Sequence, residues 1–413
     1  MAYQTGTASS MADLVTALFT FLTGDGWTQD ELNTGAGKAA IHNGNVFVSF
    51  RWNTTTPLHL AIYHALGYGV GLSSFTIAGG GTGYTAGDIL TLVGGTKTTA
   101  ATIKVMAVSS GVITSARVET AGVAYTVNPG NPVSVTGGTG TGATFTCTFT
   151  GTASGDPGQH CDDSGNGIVS DVNTSLAESR SLHNIGNGPY TSYHFFTDPG
   201  SGPVYCHIVL EYSAGLYRHA GFGTLDKVGD WHGGEYCYGH THRSGTPIAT
   251  NNTCLLDGAF IDTTGNQEQE GATIRLQSFA NMTAAQKWGC CWNSTSAGIA
   301  NDRAGNAKVR TPGGFRGNMI ARSFSWIRSN SANAFVPMVP IAAFYYDTTP
   351  SPDDLYLLGF QPDVRALNIA AFSAAQEITI GAETWIVFPT VRKQNLSVTD
   401  ESRNQGMAYK KNV

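Results

Sequence analysis

Few residues in this chain are spaced for chemistry. The best metal-type constellation is His232, Cys237, His240 and His242. Imidazole and thiolate donors suit zinc, and His240 and His242 would share one face of a strand. The spacing matches no recognised finger. Gly233, Gly234 and Gly239 point instead to a turn-rich loop or a subunit contact, the reading the spacing favours. Asp162-Asp163-Ser164-Gly165-Asn166-Gly167 resembles the front of a calcium loop, but Asn173 stands where a bidentate Glu is needed. An Asx-rich turn fits better. Gly138, Gly140 and Ala143 formally fit a dinucleotide fingerprint. A strand-like run follows rather than the helix N-terminus that binds phosphate, so that reading is rejected.

No G-x-S-x-G, phosphate-binding Lys-Ser/Thr loop or H-E-x-x-H occurs. Asp353-Asp354 follows Pro352, an arrangement that suggests a helix start. Cys290-Cys291 lies between Trp288 and Trp292, and adjacent cysteines do not pair easily. An aromatic-flanked core or interface strand is expected there. The chain is read as non-enzymatic, with no cofactor.

The elements that would position these residues are mostly strands. One helix is expected after Ser10, with Asp13 completing a box-like cap. Leu14, Leu18 and Leu22, with Val15 and Phe19 beside them, form one apolar stripe that Gly24 ends. Strands are expected over 45–52, 58–66, 193–196, 204–212, 216–222, 319–327, 336–347, 377–380 and 384–388. Asp198 to Gly202 and Gly381-Ala382 mark turns between them. A short helical pattern covers 283–288.

Between 67 and 158 the composition changes: charges almost vanish and Gly, Thr, Val and Ala dominate. Gly83-Tyr84-Thr85 is echoed 41 residues on by Ala124-Tyr125-Thr126. Gly94-Gly95-Thr96 is echoed 43 residues on by Gly137-Gly138-Thr139. Two units, each strand, Gly/Tyr turn, strand, Gly-Gly-Thr turn, strand, are too few for a solenoid. They predict a twofold-like β-sandwich module. Its turn tyrosines, Tyr84 and Tyr125, are the candidate ligand-binding residues, open to a sugar or a partner protein. The alternative, which the sequence favours, has them plug the end of the sandwich. The predicted fold class is mainly β. A discontinuous β-rich host domain, 1–70 and 154–413, has a short N-terminal helix and carries an inserted module at 71–153.

Composition narrows the function classes. The chain has 413 residues, room for two to four domains at about 100–200 residues each. Charged residues are 13%, against about 25% typically. Such a surface suits burial in an assembly, or else an ordinary secreted β protein. With a net charge of −6 and no Lys/Arg run, nucleic acid is not an expected partner. No apolar run is long enough for a spanning helix. Residues Met1 to Ser10 lack the basic start of a secretory signal. The seven cysteines form no C-x-x-C; buried free thiols are expected, with disulfides formed after release from a cell as the alternative.

Some segments carry a resemblance. Met1-Ala2-Tyr3-Gln4-Thr5-Gly6-Thr7-Ala8, the short helix and Gly26-Trp27-Thr28 resemble the N-termini of tailed-bacteriophage virion proteins. Gly215 to Gly223, Gln361-Pro362-Asp363-Val364-Arg365 and Trp385 to Pro389 are similar to the same group. Gly83-Tyr84-Thr85-Ala86-Gly87-Asp88 looks like inserts of phage tail and fibre proteins. The resemblance implies a structural tail, baseplate or fibre component, made in the host cytoplasm without a signal peptide and located in the virion. Its partners would be copies of itself, as a trimer or ring, and other virion proteins; a host-surface glycan is a further candidate. Two rival readings are a carbohydrate-binding adhesin and, behind it, a virion-attached glycan hydrolase.

Overall fold

A computed structural model describes residues 2–52, 54, 59–65, 67–150, 177–185, 188–198, 200, 202–229, 231, 233–240, 253–254, 272–275, 288–291, 307–310, 336–347, 354–389 and 405–411. The chain is mainly β with a short N-terminal helix, Met11–Gly24. Ser10 Oγ accepts from the Asp13 N–H at 3.2 Å, while Asp13 Oδ2 accepts from the Ser9 N–H at 2.8 Å. One orphan donor of the helix start, and the amide just ahead of the cap, are thereby satisfied. The stripe of Met11, Leu14, Val15, Leu18, Phe19 and Leu22 is buried.

The helix packs into a core shared by two sheets. One is five-stranded and antiparallel, in the order Ala177–Asn184, His59–Ala65, Val46–Trp52, Lys38–Asn43, Thr28–Asn33. Phe50, Ile41, Val48 and Ile62 reach that core from it. The other is a long sheet that begins Ala2–Ala8, Tyr190–Asp198, Tyr205–Ser213, Leu216–Thr224, Glu235–His240. After four further strands it ends Asp354–Asn368, Gln405–Lys411, Glu383–Pro389, Gln376–Ile380. The first group of strands is called the inner layer here, and the last group the outer layer.

Period-two alternation gives the inner layer two buried faces. Phe195, Cys206, Ile208, Phe222 and Cys237 face the helix. Phe196, Val209, Tyr217, Tyr236 and Tyr238 face the outer layer, where they meet Val364, Ile386, Phe388, Met407 and Tyr409. A strand with both faces covered carries few charges, which fits the 13% charged residues.

The strand expectations on described residues agree with the structure to within three residues at their ends. Two helical expectations do not hold. Asp354 opens a strand rather than a helix: Asp354 to Leu357 pair with Asp347 to Phe344 of the Val339–Asp347 strand. Cross-strand pairing with the preceding strand overrides the local Pro-Asp-Asp start signal. Trp288 begins a strand, Trp288–Cys291, instead of ending a helix. Residues 283–287 and 319–327 lie outside the described residues.

From Gly71 to Thr150 the chain makes a separate six-stranded sheet with its own core. The order is Val112–Thr120, Thr102–Ser109, Ile89–Leu92, Val133–Thr136, Thr141–Thr150, Gly71–Thr82. The Val133–Thr136 strand joins its two halves: Val133 and Ser134 pair with Phe145 and Thr144, while Val135 and Thr136 pair with Leu92 and Thr91. Its end strands meet where Gly80, lacking a side chain, lies against the Ile113 backbone. Two pairings fix how the module leaves the chain. Gly71 pairs Thr150, so its ends emerge side by side. Ala65 pairs Ala177 in the five-stranded sheet, so the module stands where a hairpin turn would be.

Candidate functional site

Two constellations of polar side chains stand out among the described residues: the turns of the module, and a histidine–tyrosine network between the inner and outer layers.

The module's turns obey the sequence repeat in geometry. Gly94 and Gly95 have φ of 91° and 69°, and Gly137 and Gly138 have 91° and 74°. Gly81 and Gly122, three residues before Tyr84 and Tyr125, are both left-handed at 63° and 77°. A Cβ on Gly81 would strike Thr141 O and Ala143 N, and one on Gly122 would strike Thr99 O and Ala101 N. Each Gly-Tyr turn therefore docks on the other unit, a pseudo-twofold exchange.

Asp88 fastens one of these contacts. Its carboxylate accepts from the Thr85 and Thr139 N–H groups, both at 3.0 Å. It also accepts from the hydroxyls of Thr85 at 3.2 Å and Thr139 at 2.8 Å. These donors, led by the Thr85 N–H, hold its carboxyl down to about 2. In the second unit Asn131 acts in the manner of a strand backbone. Its amide accepts from the Cys147 N–H at 2.7 Å and donates to the Cys147 carbonyl at 2.8 Å.

Tyr84 and Tyr125 are each only 3% exposed and belong to the module's core. The Tyr125 hydroxyl accepts from the Ala101 N–H at 2.8 Å, and its ring lies 4.7 Å from that of Phe149. Burial pushes its phenol up. Gly81 and Gly140 leave the room that the Tyr84 ring fills. A ligand-binding role for these rings is therefore corrected: sugar stacking needs an open aromatic face, and both rings are interior.

Of the metal-type candidates, Cys237 lies on the helix-facing side of the inner layer. It is the third residue of a row Cys206, Phe222, Cys237 across three strands. It is 0% exposed. His240 pairs Thr253 through the backbone. His232 and His242 lie outside the described residues, as do Asp162 to Gly167 and Asn173. No group of three or more His, Cys, Asp or Glu suited to a metal occurs among the described residues.

The network between the layers was not anticipated from the sequence. His207 and His219 are 0% exposed, and His194 is 7% exposed. His207 Nε2 lies 2.8 Å from the Pro362 carbonyl, and its Nδ1 lies 2.9 Å from the Tyr238 hydroxyl. His219 Nε2 lies 2.9 Å from the Pro389 carbonyl, and its Nδ1 lies 2.7 Å from the Tyr409 hydroxyl. A carbonyl can only accept, so Nε2 carries the proton in both rings and Nδ1 accepts from the tyrosine. His194 Nδ1 meets the Tyr3 hydroxyl at 2.8 Å. Burial drives His194 and His219 down to about 4 and His207 down to about 3. All three are neutral at pH 7.

Two glycines make space for these rings. Gly221 sits between His207 and Tyr238, and Gly223 between Tyr205 and Tyr236. The Tyr205 hydroxyl donates to Asp363 Oδ2 at 2.8 Å. Asp363 is held at φ 50°, within a bulge of the Asp354–Asn368 strand. A parity signal existed in the sequence. His194 shares a strand face with Phe196, His207 with Tyr205 and Val209, and His219 with Tyr217.

No protein-family model matches this sequence, and no curated protein matches it.

Proposed function

We propose that this chain is a structural component of a tailed-bacteriophage virion, of the tail, baseplate or a fibre. It acts by subunit assembly and by presenting its Gly/Thr-rich module at a surface. The observation that carries this reading is the module's attachment. A sheet with its own core leaves the chain from the end of the Ala65–Ala177 pairing, on adjacent strands. Such a junction adds a body to a host fold without interrupting the host's core.

Two further features support it. The chain's low charge suits burial between copies. A buried histidine–tyrosine network lies between packed layers, where it joins strands. The adhesin reading loses Tyr84 and Tyr125 as its carriers, since both rings are interior.

The test is assembly. Analytical ultracentrifugation should give a trimer or ring, and mass spectrometry should find the chain in purified particles. A protein that stays monomeric at high concentration and is missing from particles overturns the proposal.

A further inference from the structure

The histidine–tyrosine network bridges two layers that also meet beside it in a short ladder, where Asp226 and Lys227 pair with Phe360 and Gly359. His207 and His219 sit on adjacent strands of the inner layer. Their acceptors, the carbonyls of Pro362 and Pro389, belong to the outer layer, 155 and 170 residues away in sequence. Tyr409, also of the outer layer, completes the His219 site. Each ring is thus matched at both nitrogens in one tautomer of the neutral form.

A second proton would change this arrangement: an N–H on Nδ1 turns each tyrosine hydroxyl from donor to acceptor, and the hydroxyl's own proton must find another partner inside the cluster. It would also put a charge inside an apolar cluster that holds Phe196, Val209, Phe388 and Met407. The other titratable groups facing this interior do not favour that charge. Tyr205, Tyr217, Tyr236 and Tyr238 are phenols raised by burial. Asp363, next to Pro362, is engaged by the Tyr205 hydroxyl at 2.8 Å and by Lys410 at 3.6 Å. Arg218 adjoins His219 and its charge opposes protonation there. Around His194, Tyr3 lies under Lys411, which pairs with Glu377 at 2.6 Å.

We propose that His207 and His219 form an acid-released clasp: protonation detaches the outer layer from the inner layer while the helix-centred core stays folded. The sheet topology makes this separation reachable. The outer layer has a second small core of Leu367, Ile369, Trp385, Val387 and Ala408 on its far face. The helix packs on the opposite side of the inner layer, in a different cluster.

The direction follows from the depressed values, about 3 for His207 and about 4 for His219, against 6.5 in an exposed state. The neutral clasp is fully stable above pH 6.5 and weakens as pH falls from there toward 4. In that window each histidine raises the open population about tenfold per pH unit, and the pair about a hundredfold.

Hydrogen exchange of the full chain at pH 7 and in steps down to about pH 5, corrected for intrinsic rates, tests this. Val364 to Asn368, Glu383 to Pro389 and Gln405 to Lys411 should lose protection first. Met11 to Gly24 and Val46 to Trp52 should keep theirs. In His207→Gln or His219→Gln, where the amide still donates and accepts, the pH slope should fall by about tenfold per unit. Simultaneous loss in all elements, or a slope unchanged in both variants, overturns the proposal. If the variants do not fold, side-chain nitrogen spectra of the unaltered chain decide. Among its 11 histidines, two must show the Nε2–H tautomer and no titration near pH 6.5; ordinary titration of all 11 overturns it.

Discussion

Replacing Tyr125 by Phe removes one oxygen and leaves the ring where it is. That oxygen is the acceptor for the Ala101 N–H, at 2.8 Å, and Ala101 is 0% exposed. The amide would be orphaned in an apolar core, which costs about 1–3 kcal/mol. Taking about 2 kcal/mol, the opening that exposes this strand becomes about 30 times more frequent, since about 1.4 kcal/mol is tenfold. Hydrogen exchange on peptides covering Thr102 to Ser109 should accelerate by that factor. Tyr84 supplies the control. Its ring is as buried as that of Tyr125, but its hydroxyl makes no hydrogen bond among the described residues. Tyr84→Phe should stay within about 0.5 kcal/mol of the parent. Truncating either ring to Ala should cost about 3–5 kcal/mol, because the cavity falls inside the module's core. If Tyr125→Phe exchanges at the parent rate, or Tyr84→Phe is equally damaging, the assignment of Tyr125 as a hydrogen-bonded core plug is wrong.

Two further substitutions separate steric from conformational effects. Gly221 has no positive φ, so backbone propensity favours Gly221→Ala by about 0.5–1 kcal/mol. Its new methyl would run into the Tyr238 ring and stand 2.7 Å from the Cys206 carbonyl. Overpacking of about 1–3 kcal/mol should win, lowering the urea midpoint; a raised midpoint would show that the ring has room to move. Ala124 stands at φ 50°, where its counterpart in the first unit is Gly83 at 79°. Ala124→Gly should relieve about 1–2 kcal/mol of left-handed strain and lose about 0.5–1 kcal/mol to unfolded-chain entropy. Exchange in the module should slow slightly; a clear acceleration would mean that the Ala124 methyl, packed beside Phe47 and Val123, matters more than its strain.

Local signals in the sequence determined local structure. The Ser10 cap and the Leu14, Leu18, Leu22 stripe suffice for the helix, because i to i+4 spacing and a nearby oxygen are properties of adjacent residues. The repeat of Gly-Tyr and Gly-Gly-Thr turns was legible for the same reason: left-handed positions favour glycine wherever the chain folds. What those turns touch was not legible. Each docks on the other unit, so whether Tyr84 and Tyr125 face a sugar or a core depends on contacts tens of residues away. Asp354 reads as a helix start until its partner Asp347 is placed beside it. The histidines show the limit most clearly. Their strand parity is written in the sequence, but a buried imidazole is defined by what meets its nitrogens. For His207 and His219 those groups are carbonyls 155 and 170 residues away, brought near only when the long sheet folds back on itself.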